Sequence, residues 1–381
     1  MRPQRPLNTT TTTRQATQSP RRVDFELAAY MKSDDRIALW QIISTVLPIV
    51  AISIGLGVAT QSLSVQTVAI SAALFALLVL FLSRSFSLMH DCGHQSLFRS
   101  KNANRIAAFL LSLIHGMPHH PWSRGHAFHH KHNGNWDRYR GPSALITSQE
   151  FDQKTDSSKR LYKILRHPLL LFPGGFFYLI IKPRATLLLG FFEFALHSTN
   201  ACFKSIFAGN LPDFGQIAAG HKSSFFYTKG EALDTTINTI CVALLWWWAG
   251  SSIGYVHFWT LYFLVMSTSA ALMIAVFFIQ HNFPGSYTSN EEDWSYFKGA
   301  LEGSSFLMMP AMLNWFTADI AYHHIHHLSE RIPNYRLSQC HQANSHLLGG
   351  VRRLRLSEVS TCFSLILWDR DKLELTTTTA A

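Results

Sequence analysis

Charge is scarce in this sequence. Asp, Glu, Lys and Arg make up 15% of its 381 residues, against roughly 25% in soluble domains. Two long intervals have none, from Arg36 to Arg84 and from Asp234 to Glu291. A helical hairpin buried in a soluble protein would still carry charge on its outer face, so these intervals point to lipid surroundings. Patterned cysteine is also missing. Cys92, Cys202, Cys241, Cys340 and Cys362 form no CxxC pair and no framework spacing, which excludes thiolate zinc and a disulfide scaffold and leaves free thiols. Met1 to Arg22 has no acidic residue and no apolar run, so it is not a secretory signal. Its five arginines and the run Thr9 to Thr13 predict a disordered tail, although an organelle transit peptide shares that bias. The C-terminal "LELTTTTAA" reads as a second low-complexity tail.

The uncharged intervals hold two apolar pairs. Ile37–Val58 and Val65–Leu82 are divided by "ATQSLS", and Thr239–Gly250 leads through "SSIGY" into Val256–Ile279. A helix needs about 20 residues to cross a bilayer, so these predict two transmembrane hairpins, with spans near 37–58, 65–83, 236–253 and 256–279. Neither hairpin loop contains Lys or Arg, while the N-terminal, central and C-terminal segments hold every basic residue. The positive-inside rule therefore places those segments and both termini on the cytoplasmic side, or the stromal side in an organelle. The expected fold is all-α integral membrane, with four spans and a cytoplasmic histidine-rich cap. Ile106–Met117, Leu169–Ile181 with its "FPGG", and Pro183–Phe207 are read as re-entrant or interfacial helices, and Trp246, Trp247 and Trp248 as anchors at the far interface. Residues 1–35 form a tail, 36–345 the membrane domain and 346–381 a C-terminal cytoplasmic segment. The net charge of +10 is scattered around apolar runs, which favours anionic lipid over nucleic acid.

Histidine is plentiful where charge is not. "HDCGH" sets His90 and His94 four apart, one face of a helix continuing from the second span. "HAFHH" gives His126, His129 and His130 at i, i+3, i+4, and "HHIHH" repeats that spacing with His323, His326 and His327. A lone HxxxH is more often packing or a surface pair. Three clusters on one side of a membrane resist that explanation. His281 in "FFIQHNF", where the fourth span returns to the same side, makes nine imidazoles, too many for one metal. Imidazole suits iron, zinc and copper, and two redox metals coupled to oxygen fit best.

With these motifs the chain resembles the membrane fatty-acid desaturases, in particular the branch of Δ12 (omega-6) acyl desaturases. The likeness rests on the ordered set "HDCGH", "HAFHH", "QH" and "HHIHH", with "EEDWSYFKGAL" and "FTADIAYHHIHHLSERIPNY", and runs from about Arg36 to His341. It implies a centre of two Fe ions held by His90, His94, His126, His129, His130, His281, His323, His326 and His327. Spacing alone also admits His324, which the resemblance leaves out. Where other members of the wider superfamily place an asparagine one turn before the last-span histidine, this chain has Phe277, with Asn282 or Asn314 as candidate replacements.

A ligating imidazole usually donates its other N–H to a carboxylate or carbonyl. Asp91, Asp137 and Asp319 are the candidates, each weighed against an ordinary salt bridge. His115, His119, His120 and His132 are read as polar loop residues. The activity implied is O2-dependent introduction of a cis double bond into the acyl chain of a lipid or acyl thioester. No haem or iron–sulfur signature is fused to the chain, so electrons come from a ferredoxin or a small b-type cytochrome. A histidine-box hydroxylase or ketolase acting on carotenoid, alkane or acyl substrates shares these ligands. A histidine-rich metal transporter is a rival of another class, but it should place ionisable groups within its spans.

Overall fold

The four apolar stretches are four long helices, Asp35–Ala59, Val65–Gly93, Lys229–Ile253 and Tyr255–Ile279, in the computed structural model, which describes residues 20–62 and 64–378. Each is long and apolar enough to cross a membrane. Local chemistry sets their starts. Asp34 accepts from the Arg36 and Ile37 amides, Ser64 and Thr67 cap each other, and Thr228 accepts from the Glu231 amide. Gly254, at φ 88°, separates the third helix from the fourth. Thr60 Oγ1 lies 2.9 Å from His257 Nε2, so both hairpin turns sit at the same end of the bundle.

The second helix runs ten residues past the apolar span expected to end at 83, continuing to "HDCGH" as the i, i+4 spacing of His90 and His94 requires. Its 29 residues rise about 43 Å, well beyond a hydrocarbon core of about 30 Å. Arg84, taken as the end of the apolar span, is buried within the protein. Its Nε donates to Thr45 Oγ1 at 3.1 Å, its Nη1 donates to the Trp315 carbonyl, and its guanidinium stacks 4.0 Å from the Trp315 ring centroid. The third helix likewise starts at Lys229 rather than 236, because the Thr228 cap adds two turns before the apolar run.

Lys101–His115 packs against the second helix and ends at Gly116, φ 64°. The stretch expected as separate interfacial pieces is one rod instead: Leu171–Phe176 continues through a π-helical turn, Phe177–Ile181, into Lys182–Phe207. The reason lies in "FPGG". A Cβ on Gly175 would stand 2.6 Å from Ala270 Cβ, so glycine lets this helix close onto the fourth span. With Asp156–Leu165 the rod makes a pair bent by 62°, which passes the same membrane test only when taken together.

Short elements close the cap around the histidine-bearing ends. Ile146–Thr147 pairs in parallel with Leu367–Asp369, which pairs antiparallel with Glu374–Thr376, and Phe306–Met308 pairs in parallel with Arg353–Arg355. Residues read as the start of a C-terminal tail thus include a strand. The N-terminal tail needs the same correction from residue 20 onward. Phe25 and Leu27 are buried with Ile325, Leu328 and Leu337, the Glu26 amide donates to Asn344 Oδ1 at 2.7 Å, and the Asp34 amide donates to Tyr335 Oη at 2.7 Å. Residues 1–19 lie outside the described residues.

Candidate metal centre

Four segments bring the histidines together. The second helix carries His90 on its last turns and ends at His94; Gly125-containing helix His119–His132 carries the "HAFHH" set; His281 follows the end of the fourth helix; and the short helix His323–Leu328 carries the last three. Neighbouring residues on a helix point about 100° apart, so His129 and His130 face different ways, as do His326 and His327. Two groups result. His90, His94, His126, His130 and His326 form one, and His129, His281, His323 and His327 the other, each with one nitrogen per ring within 4.8 Å of all the rest. The groups adjoin where the rings of His130 and His327 stack at 4.1 Å between centroids.

Nε2 atoms face inward. His130 Nε2 lies 3.0 Å from both His126 Nε2 and His326 Nε2, and His323 Nε2 lies 2.9 Å from His281 Nε2 and 3.1 Å from His327 Nε2. His90 Nε2 and His94 Nε2 are buried with no partner among the described residues. Three of the opposite nitrogens are held from behind, while Nδ1 of His129, His130, His323, His326 and His327 has no hydrogen-bond partner among the described residues. His90 Nδ1 stands 3.2 Å from Asp91 Oδ1, His94 Nδ1 stands 3.2 Å from Glu330 Oε2, and His281 Nδ1 donates to the Gly303 carbonyl at 2.9 Å. Each acceptor keeps the proton on Nδ1 and leaves an Nε2 lone pair aimed into its group. Donors around one ion with bonds of about 2.1 Å at right angles would lie about 3 Å apart, so the spacing and the donor set both fit a metal in each group.

Electrostatics agree. Burial holds His126, His129, His130, His323, His326 and His327 well below the ordinary 6.5, with repulsion between neighbouring imidazoles adding to it. Burial also lowers His281 to about 4, against the pull of the Gly303 carbonyl. Neutral imidazole is the form that binds metal.

Among the candidate carboxylates, Asp91 alone meets a histidine of either group. Its Oδ2 also accepts from the Asn334 amide at 2.7 Å and from Asn334 Nδ2 at 2.9 Å, and the Asn334 side chain bonds Gln41 on the first helix. Asp137 instead accepts from the Glu291 amide and pairs with Arg370. Asp319 makes no hydrogen bond to His323 among the described residues. It faces Arg84, and burial raises its carboxyl to about 6 while Arg84 opposes the shift. Glu330 escaped the sequence reading although it lies three residues beyond the last box. Asn282 Nδ2 donates to the Leu365 carbonyl and Asn314 Nδ2 to the Met309 carbonyl, while the Oδ1 atom of each is buried with no partner among the described residues. The Phe277 ring lies 5.7 Å from His90 and 5.7 Å from His323, between the groups. His324 joins neither group.

A cavity of about 390 Å³ opens on this arrangement, reaching His126 of the first group and His129 and His281 of the second. Phe86, Trp122, Tyr178, Leu179, Met273 and Phe277 give it mainly apolar walls. The π-helical turn contributes Tyr178 and Leu179, a use of irregular helix common at functional sites. His115 lines it too, tied to Ser85 Oγ at 3.1 Å, while His119 pairs with Asp234 at 3.3 Å. A narrow apolar chamber beside converging metal-binding nitrogens suits a substrate with no polar handle near its reacting atoms.

Residues 67–356 match the family model for fatty acid desaturase. A fatty acid desaturase of Bacillus subtilis (strain 168) is 28% identical over 351 residues, covering 91% of this chain and 87% of that protein. The sn-1 oleoyl-lipid 12-desaturase of Picosynechococcus is 26% identical across 67% of this chain and 63% of its own length. An sn-1 acyl-lipid omega-3 desaturase (ferredoxin) of Nostoc is 26% identical across 69% of this chain and 64% of its own length.

Proposed function

The chain belongs to the fatty acid desaturase family, and on that premise we propose that it introduces a cis double bond into a membrane-borne acyl chain at a centre of two iron ions. The observation that carries this reading is the pair of histidine groups, five and four, opening on one apolar cavity. The irons, when bound, supply the redox capacity to activate O2 for removing hydrogen from unactivated methylenes. The protein supplies placement. Phe86, Trp122, Met273 and Phe277 hold the chain against the centre and keep water from it. Asp91, Glu330 and the Gly303 carbonyl keep protons on the outer nitrogens, so the inner ones stay available.

Similarity to both a 12-desaturase and omega-3 desaturases supports action toward the methyl half of the chain, and we assign the Δ12 (omega-6) position. A ferredoxin, for which related omega-3 desaturases of Nostoc and Arabidopsis thaliana are named, is the proposed donor. Uncharged hairpin turns sharing one end support a cytoplasmic face for the histidines and both termini.

The test is the lipid profile of a host rich in monounsaturated acyl chains, expressing wild type beside His326→Ala. Wild type should yield a diene by gas chromatography. His326→Ala should lose at least 100-fold of it together with bound iron. A hydroxylated chain without diene would transfer the assignment to the hydroxylases.

A further inference from the structure

Two imidazoles beside the centre, one of them fully buried, belong to neither histidine group. His324 Nε2 meets His341 Nδ1 at 2.8 Å, and neither residue belongs to a metal-competent group. His341 is only half-buried, on helix Asn334–Ala343, whereas His324 is fully buried and adjoins His323 in the chain. Phe306 joins the pair from the other side. Its ring centroid lies 4.8 Å from His341 and 5.8 Å from His324, and it stacks on Tyr322 at 4.8 Å.

Phe306 also connects this cluster to the surface, because its strand pairs with Arg353–Arg355 in a register that sets Phe306 beside Arg353. Leu354 turns inward, and Arg353 and Arg355 stay exposed. Arg353 rims a groove of about 520 Å³ whose floor includes Gly349 and Gly350, and Arg355 lies two residues along the same strand. Arg352 is neutralised by Glu358, but Arg353 and Arg355 have no ion pair among the described residues. Several other basic side chains of the cap are engaged. Arg138 and Arg140 pair with Glu291 and Glu150, Lys159 and Lys163 lie over the Phe151 ring, and Arg166 stacks on Tyr162.

We propose that a small acidic electron-carrier protein docks on the Arg353/Arg355 strand, and that Phe306 with the His341–His324 pair forms the packed route from that surface to His323. The assignment rests on the desaturase reading above. Unpaired cations beside a groove steer and orient an acidic partner. Tunnelling weakens steeply across unfilled distance, and this aromatic stack leaves little. Each encounter oxidises the carrier by one electron. Two encounters supply the two electrons that, with two protons from water and two hydrogens from the acyl chain, reduce one O2 to two H2O.

The experiment uses the full chain in nanodiscs, with an acidic [2Fe–2S] ferredoxin as probe. Arg353→Glu/Arg355→Glu should weaken ferredoxin binding at least tenfold and flatten its salt dependence, whereas Lys159→Glu should leave both unchanged. Should the reversal disturb folding, Arg353→Gln/Arg355→Gln carries the same test with a smaller shift. His341→Leu should slow oxidation of reduced ferredoxin at least tenfold at unchanged ferredoxin affinity and unchanged bound iron. Wild-type affinity in the arginine variants overturns the docking site, and a wild-type rate in His341→Leu overturns the route. Single-turnover desaturation by wild type with dithionite is scored separately: its failure would remove the desaturase reading, whatever the binding results.

Discussion

An imidazole binds metal through whichever nitrogen lacks a proton, so the acceptors behind the rings count as much as the rings. Asp91 was legible because it adjoins His90. Glu330 was not, since its partner His94 comes from the other end of the chain and only folding joins them. Asp319 misled for a related reason: helical spacing put it one turn before His323, but the backbone there turns left-handed, at φ 48° for Ala318 and 55° for Asp319. The carboxylate therefore feels the charge of Arg84 and makes no hydrogen bond to His323 among the described residues. Changing an acceptor behind a ligand typically costs 10- to 100-fold in metal affinity. Asp91→Asn should fall in that range, and Glu330→Gln, whose carboxylate is 44% exposed, should lie at the low end. Metal per chain after dialysis against graded chelator measures both, and an unchanged ratio in Asp91→Asn would show that the carboxylate does not set the His90 proton.

The helices followed the apolar pattern closely where lipid was the expected surroundings and less well where protein took its place. The apolar span ends before Arg84, where a charge is expected to seek water, with the helix itself continuing to His90 and His94. Here Thr45, the Trp315 carbonyl and the Trp315 ring meet the guanidinium inside the fold, so the helix continues and delivers His90 to the centre. Leaving a buried carbonyl such as that of Trp315 without its donor costs about 1–3 kcal/mol. Arg84→Met should lower stability by that order, and adding Asp319→Asn should recover part of it, measured as unfolding midpoints in detergent. Gly116 makes a second case. It ends helix Lys101–His115 at positive φ, and a Cβ there would come within 2.6 Å of Ile180 Cδ1 beside the cavity wall. Gly116→Ala should cost about 1–3 kcal/mol, seen as a lower thermal midpoint.

Across the molecule, composition pointed to the membrane bundle, and motif spacing together with the family resemblance pointed to nine histidines, but none of these revealed how the nine divide. The division depends on helix ends meeting in space, with His129 and His130 parting to different groups. Gathering so many imidazoles in one dry cap makes the whole fold sensitive to acid. His126, His129, His130, His323, His326 and His327 are held well below 6.5 by burial, and His281 is lowered to about 4. In the unfolded chain they protonate near 6.5. The unfolded state therefore binds more protons once pH drops below that value, and stability falls as pH falls from about 6.5 towards 4. Asp319, raised to about 6, works the other way over its own range. One carboxyl does not offset seven imidazoles. The thermal midpoint of metal-stripped protein should accordingly stay level above about pH 7 and drop steeply below 6.5, and bound metal should delay the drop because it holds the imidazoles neutral. A midpoint that did not change between pH 7 and 5 in the stripped protein would mean that these rings are hydrated and that the cap is not the dry enclosure on which metal binding depends.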